Sequence, residues 1–561
     1  MKNIFLIGAF TLLLVLSSNL SNGQTWQWGR SSAGSVGGNA GYRVATDNEG
    51  NVYMTGYYVS SYIVFGADTL EDAGNGDLFL VKYDASGNLI WTRWAGGTGV
   101  DMPEGITLDK KGNIYLTGGS HSPYIVFGND TVWKVTAGIG VAWTVKYNAN
   151  GNVIWAKGIR GTGGCDAGEG VAVDKTGNVY VTGNYWDSAV YFGNDTLLCV
   201  TPGAQDVFVV KYDSAGNEVW GKTAGSVSVD LAGGIAFDSL GYIYITGQYG
   251  TPYIPFGKDT LTDNYSGTSC TFVVKYDLSG TVIWAKSGTG VKGSAGVGIE
   301  VGDNHSIYVG GNYFGSSIVF GKDSLTTNSG NLGEAYLIKF DTTGYMVWGA
   351  QSGNGANVLC AGIAVDGIGD EYITGHYSNA AIFGSDTLTT TATGEPMYIA
   401  EFDLNGNPLA AYTCTKSFGT PSSDGYGVAA NTTGDVYVAG DFGTKVIFGS
   451  DTLSTSGSGH DVYVAKLSHT TDGIQPVKNW DKIVIYPNPS PGTFTIQLPS
   501  AGSKSSVEIY DVLGEKVYSE LSVVTDKLSI NLSNQPSGIY LYRVLNENRD
   551  LLGEGKVVIQ K

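Results

Sequence analysis

Most of the chain alternates apolar and polar positions in runs of four to eight residues, each bounded by Gly, Asn or Asp. A period of two side chains is the strand period, and those boundary residues are turn formers, so the pattern predicts short strands joined by tight turns. Residues 170–225 show the unit. GVAVD (170–174) is a short apolar strand, and NVYVTGNY (178–185) alternates as a second. A long loop holding FGNDTL follows, then DVFVVKYD (206–213) and EVWGKTAG (218–225) as third and fourth strands.

The unit recurs. The hexapeptide beginning with Phe returns at Phe65, Phe127, Phe192, Phe256, Phe320, Phe383 and Phe448, at intervals of 62 to 65 residues. A fixed period of this size marks stacked supersecondary units, and four strands per unit make a propeller blade. Trp keeps register at Trp28, Trp91, Trp155, Trp220, Trp284 and Trp348, with Ala410 as the seventh equivalent. The array opens with a lone fourth strand at residues 25–30 and closes on a third strand, 461–467, that has no fourth. The first strand can therefore complete the last unit and remove two exposed sheet edges. The expected fold class is all-β: a seven-bladed β-propeller over residues 24–468, a linker over 469–482, and a small Ig-like β-sandwich over 483–561.

With G-x-A-x-D-x-x-G-N-x-Y-x-T-G, FGxDTL and VKYDxxGNxxW, residues 25–468 resemble the secreted bacterial β-propeller repeats called SBBP repeats. The resemblance implies a propeller and an extracellular address, with no common reaction. The tail carries Tyr486-Pro487-Asn488-Pro489, Ile509-Tyr510-Asp511, Pro536-Ser537-Gly538-Ile539-Tyr540 and Lys556-Val557-Val558-Ile559. These resemble the type A C-terminal sorting domain of the type IX secretion system. That resemblance implies export across a Gram-negative outer membrane, with the secretion machinery as a partner.

Composition agrees. The chain has 561 residues, 84 Gly, 35 Tyr and 15% charged residues, which suits strands and tight turns rather than disorder. The net charge is −19, while residues 483–561 balance 8 acids against 7 bases, so the excess lies upstream. Such a surface repels phosphate backbones and argues against nucleic acid as a partner. Residues 1–23 read as an export signal. Lys2 is followed by a short apolar run and then by Ser21-Asn22-Gly23, which places cleavage between Gly23 and Gln24. No stretch is long and apolar enough to be read as a transmembrane helix. Five Cys occur off register, so disulfides are not the scaffold, although Cys165 and Cys199 could pair.

No P-loop, EF-hand, HExxH or zinc-type Cys/His spacing appears, so no cofactor and no metal are expected. Candidate binding residues lie where the repeats disagree. Innermost-strand positions are Ala45, Thr107, Ala172, Ala236, Ala364 and Ala429, but Glu300 in the fifth unit. The position after the second-strand Gly varies: Asn184, Gln248, Asn312, His376 and Asp441 are its polar members. Loops on the same rim carry Asp101, Asp166, Asp230 and Asp424. Amides and carboxylates beside aromatics suit an extracellular glycan or protein ligand. The expectation is a secreted surface binding or adhesion module. The alternatives are a glycan-cleaving hydrolase or lyase at the channel mouth and a passive surface-layer protein. Finally, every hexapeptide holds Asp, a hydroxyl residue and an apolar residue. Thr69, Thr131, Thr196, Thr260, Ser324, Thr387 and Thr452 thus resemble the O-glycosylation acceptors of bacteria that use the type IX system.

Overall fold

The computed structural model describes residues 24–469 and 484–561, apart from 35–36, 135–139, 162–166, 187, 202, 251, 264–268, 303–304, 328–331, 354–356, 391–393, 417–422, 456, 458, 499–504, 512–515, 524–526 and 547–550. Asp166, Cys165, Gly23 and most of the linker lie outside the described residues. The chain divides into two compact units, residues 1–470 and 471–561.

In the first unit the described residues form seven antiparallel sheets that share one four-strand order. We number them 1 to 7. Sheet 3 runs Ala167–Val173, Val179–Tyr185, Asp206–Tyr212 and Glu218–Ala224, each strand beside the next. The first strand of each sheet packs against the first strand of the next, and Ser423–Ala430 of sheet 7 packs against Ala40–Thr46 of sheet 1. The fourth strand of sheet 7 is Gln24–Ser31, which pairs antiparallel with Asp461–His469.

The hexapeptide differs from the loop expected of it. Each copy forms the turn of a two-stranded hairpin, as in Ala189–Phe192 paired with Asp195–Leu198. The two-residue turn needs positive φ at its first central position, and the Gly there supplies it in all seven copies, from Gly128 at 56° to Gly321 at 64°. In five copies the Asp that follows ties the hairpin to the fourth strand. Asp195 Oδ2 accepts Gly221 N–H at 2.8 Å, and Asp386 Oδ2 accepts Ala411 N–H at 3.0 Å.

The in-register Trp forms part of a row across each sheet. In sheet 3, Tyr180, Lys211 and Trp220 stand side by side on strands two, three and four. The Lys211 ammonium lies 5.1 Å from the Tyr180 ring centre, a cation–π contact. Trp220 Nε1–H donates to Leu278 O at 3.1 Å, in the third-to-fourth-strand turn of sheet 4. Lys211 Nζ reaches the same carbonyl at 3.5 Å. The row therefore couples neighbouring sheets through a turn. Six sheets have it, but sheet 6 reads Tyr372, Glu401 and Ala410.

The second unit holds a three-stranded and a four-stranded sheet. One core takes Phe494, Ile496 and Ile530 from the first and Ile509, Tyr542 and Val557 from the second. No helix of the described residues is long and apolar enough to cross a membrane.

Candidate functional site

The seven first strands line a cavity of about 280 Å³. Gly105, Gly170, Gly234, Gly298, Gly362 and Gly427 occupy one register position on these strands. Their lack of a side chain lets the strands converge. A Cβ on Gly170 would stand 3.1 Å from Ile235 N, and one on Gly234 would stand 3.3 Å from Gly298 Cα. The seventh member of this series is Arg43.

Immediately before that position every first strand carries a β-bulge. The unpaired residues are Tyr42, Glu104, Glu169, Gly233, Val297, Ala361 and Tyr426. A bulge re-aims its extra side chain, and all but Tyr42 border the channel cavity. The series is lopsided. Sheets 7, 1, 2 and 3 present Tyr, Tyr, Glu and Glu, while sheets 4, 5 and 6 present Gly, Val and Ala. Inspection of the repeats at this offset would have found the series. The Glu300 position lies three residues further along the strand.

Around the polar half the groups interlock. Arg43 Nε donates to Glu104 O at 2.7 Å, and its guanidinium lies 3.9 Å from the Glu104 carboxylate. Burial pushes the Glu104 and Glu169 carboxyls up, the neighbouring Glu104 charge adds to the rise at Glu169, and Arg43 opposes both. Tyr42 lies 5.3 Å from both Tyr57 and Tyr426, ring centre to ring centre. Tyr426 Oη–H donates to Asp424 Oδ2 at 3.1 Å. His376 stands 3.5 Å from Asp424 and 3.7 Å from Glu395. His460 Nδ1 contacts Asp441, and that contact raises the His460 pKa. Burial raises the Asp424 carboxyl, and the nearby Asp441 charge adds to the rise.

The residues singled out from sequence divide into groups. His376, Asp424 and Asp441 meet on one rim across sheets 6 and 7. Glu300 does not join them. It borders the cavity opposite Tyr308, whereas the His376-equivalent Asn312 faces Ala295, five residues earlier on the strand. Four residues of the unbulged second strand, Tyr308 to Asn312, span the interval, so at about 3.3 Å per residue roughly 13 Å of channel separates the two levels. Glu300 is open to the channel, but the surrounding wall raises its carboxyl to about 7 by desolvation.

Asn184 and Asn312 serve as clamps between sheets. Asn312 donates to Cys360 O at 2.9 Å and accepts Cys360 N–H at 2.7 Å. Asn184 accepts Ala232 N–H at 2.6 Å and donates to Glu169 at 2.9 Å. Gln248 is half-buried at the same register. Asp101 and Asp230 are fully buried loop caps. Asp101 accepts from Ser120, Ser122 and Gly97, and Asp230 accepts from Ser226 and Gly250. Their oxygens are spent on their own loops, which a reading based on residue type and position could not reveal. Among the described residues no group of three or more His, Cys, Asp or Glu is disposed to hold a metal ion.

The arrangement offers aromatic faces for stacking, carboxylates that accept hydroxyl hydrogens, and His–carboxylate pairs able to pass a proton.

Residues 484–560 match the family of secretion system C-terminal sorting domains, and residues 90–125 match the β-propeller repeat family SBBP. A WD repeat-containing protein of Acanthamoeba polyphaga mimivirus is 24% identical over 527 residues, covering 77% of this chain and 38% of that protein. Regulatory protein FlaEY of Caulobacter vibrioides is 26% identical over 193 residues, covering 32% of this chain and 20% of that protein. The chain thus spans well under half the length of either relative. Among solved structures, the Neurospora crassa Pan2 WD40 domain aligns with 11% identity and a TM-score of 0.38, covering 81% of this chain and 98% of that domain. The chain carries β-propeller repeats followed by a type IX secretion sorting domain, and that domain sends it to the cell surface or the extracellular space.

Proposed function

We propose that residues 24–468 are a closed seven-bladed propeller, that residues 483–561 are an Ig-like sandwich, and that the propeller is a surface binding module for an extracellular glycan. The lopsided bulge series supports this reading. A structural repeat has no reason to place Tyr426, Glu104 and Glu169 on one half of a channel, with Tyr42 beside Tyr426, and Gly233, Val297 and Ala361 on the other. Tyrosine faces beside carboxylates suit the apolar faces and hydroxyls of a sugar ring. The opposite half, lined by small side chains, leaves room for the rest of the chain.

The test is a glycan array probed with the mature chain and with its Tyr42→Ala, Tyr426→Ala variant. The reading expects selective binding by the first and loss of it in the second. Selective binding that survives in the variant, or binding only to protein ligands, overturns it.

A second reading is a glycan-cleaving hydrolase or lyase. The meeting of His376 with Asp424 and Glu395, next to His460 and Asp441, favours it. Release of new reducing ends from an array-positive glycan, lost in His376→Ala, separates it from simple binding. The hairpin hydroxyls from Thr69 to Thr452 are proposed as O-glycan acceptors, and all seven are exposed.

A further inference from the structure

Sheet 6 lacks the Lys and the Trp of the cross-strand row, and its neighbour lacks what they would bind. In sheets 2 to 5, Lys and Trp reach carbonyl oxygens in the third-to-fourth-strand turn of the next sheet, as Lys275 and Trp284 reach Thr342 O at 3.0 and 3.2 Å. Sheet 7 has no such turn. Its third strand ends at His469, and its fourth strand begins at Gln24. Where the other sheets meet carbonyl acceptors, sheet 6 meets the start of a strand, which offers an N–H donor.

The residues have changed to match. Glu401 replaces the cation, and Ala410 replaces the Trp and opens space. Gln24 is held at this junction and is 4% exposed. Its backbone N lies 2.9 Å from Tyr412 Oη, and Tyr412 Oη–H donates to Glu401 Oε2 at 3.2 Å. Its side-chain Nε2 donates to Tyr372 Oη at 2.9 Å and to Gly434 O at 3.4 Å. Tyr372 Oη in turn lies 3.3 Å from Glu401 Oε1 and 3.3 Å from Asp366 Oδ2. A carboxylate stands where every other sheet has an ammonium, and it is one hydroxyl away from the backbone nitrogen of residue 24.

We propose that Tyr372, Glu401 and Tyr412 form a binding site for the α-ammonium of the mature chain, created when cleavage after Gly23 makes Gln24 the first residue. The proposal rests on the reading of residues 1–23 as a cleaved export signal. Cleavage then does more than remove the leader. It generates a cation at the place where the other six sheets carry a Lys, and it fixes the strand that completes sheet 7. Burial and the charge on Asp370 push the Glu401 carboxyl up to about 7, and an ammonium at Tyr412 would draw it back down. The precursor has an amide N–H at this point. It can still donate to Tyr412, but it carries no charge.

The experiment compares residues 24–561 with a free amine, the same chain acetylated at Gln24, and a chain that begins at Gly23. Calorimetry reads the thermal midpoint of the first unit. The free amine is expected to melt about 2 °C or more above the other two, a shift of the size a single charge-assisted contact produces in a domain this large. Glu401→Gln is expected to erase the difference. Equal midpoints, or a difference that survives Glu401→Gln, overturn the proposal. Should Glu401→Gln fail to fold, NMR titration of the Gln24 amine in the wild-type chain decides. A pKa raised above the ordinary value of about 8 supports the site, and an unshifted one overturns it. Mass spectrometry of the natively secreted protein tests the cleavage reading separately. A different first residue ends that reading without altering the result for chains of defined start. A Gln24 lighter by one ammonia, cyclised to a lactam without an amine, overturns the site in the native protein.

Discussion

Arg30 and Asp451 stand 421 positions apart in the chain, and the Arg30 guanidinium donates to Asp451 Oδ2 at 2.8 Å. The same carboxylate oxygen accepts Gly29 N–H at 3.1 Å. The hairpin that follows the second strand of sheet 7 thereby grips a strand drawn from the other end of the repeat array. The ion pair is about one-third exposed on each side, so its own contribution is small, about 0.5 kcal/mol. The backbone ladder and the buried Trp28 carry the closure. Arg30→Ala should therefore lower stability by less than about 1 kcal/mol. Deleting residues 24–31 should instead bare two sheet edges and cause aggregation or loss of folding. Chemical denaturation with light scattering checks both. A soluble, monomeric deletion variant with unchanged stability would refute the closure.

Asn312 makes its two bonds to the backbone of one residue, Cys360, on the next sheet. Removing the side chain leaves Cys360 N–H and C=O without these partners at a buried junction. Each lost partner costs roughly 1–3 kcal/mol. Asn312→Ala should lower unfolding stability by about 2–4 kcal/mol and leave ligand binding unchanged. Loss of binding at unchanged stability would return Asn312 to the ligand site.

Much of this architecture is legible in the residues. Gly193 and its equivalents mark a fixed turn, and Trp28 and Lys466 appear at opposite ends of an array that needs one more strand. The hairpin at the hexapeptide was harder to read. A four-residue strand on each side of Gly-Asn is too short to show a period. The site was half legible. His376 stands out as a departure from the repeat and Asp424 as a rim-loop acid, and the two do meet. Asp101 and Asn184 stand out equally, yet they cap a loop and clamp a junction, because composition does not say which donor a carboxylate or amide faces. The bulged Tyr42, Glu104, Glu169 and Tyr426 were missed because an inserted residue shifts the strand register that the alternation was used to follow.

Buried carboxyls with raised values, Glu169 and Glu401 among them, set the pH response of the first unit. Burial raises Asp77 and Asp230 to about 7 and Asp101 and Asp206 to about 6, from an ordinary value near 3.8. A folded-state value above the unfolded one means that the native protein binds more protons between the two. Stability is then complete below about pH 4 and falls as pH rises through 6 to 7. Turn residues such as Asp84 and Asp213 have lowered values, held down by the side chain and backbone of Asn88 and Asn217. Their opposing term is lost only as pH falls through the acid range, and their exposure keeps it small. The thermal midpoint should thus be higher at pH 5 than at pH 8, by about 3 °C or more. Asp77 Oδ2 accepts Ala73 N–H at 2.6 Å, while its buried Oδ1 has no hydrogen-bond partner. Asp77→Asn keeps the acceptor and removes the charge, so it should raise the pH 8 midpoint and flatten the profile. A midpoint that climbs from pH 5 to pH 8 would contradict the assignment.

The hairpin hydroxyls invite the last test. Thr69, Thr131, Thr196, Thr260, Ser324, Thr387 and Thr452 sit on the outer strand of each hairpin with the side chain exposed, so a bulky modification would meet no packed neighbour. In five copies the Asp before the hydroxyl already accepts a hydrogen bond from the fourth strand. Asp195 holds Gly221 N–H, and Asp68 accepts the Thr92 hydroxyl at 3.0 Å. Replacing the Asp would loosen the hairpin as well as destroy an acceptor signal, so loss of a modification in that variant would not be informative. Thr196→Val keeps the strand-favouring shape, leaves Asp195 on Gly221 and removes only the oxygen. Intact mass of the protein secreted by its native host is expected to exceed the bare polypeptide, and Thr196→Val is expected to lose one glycan mass with no change in thermal midpoint. A secreted wild-type chain with the mass of the unmodified polypeptide would leave the seven hydroxyls as strand residues and nothing more.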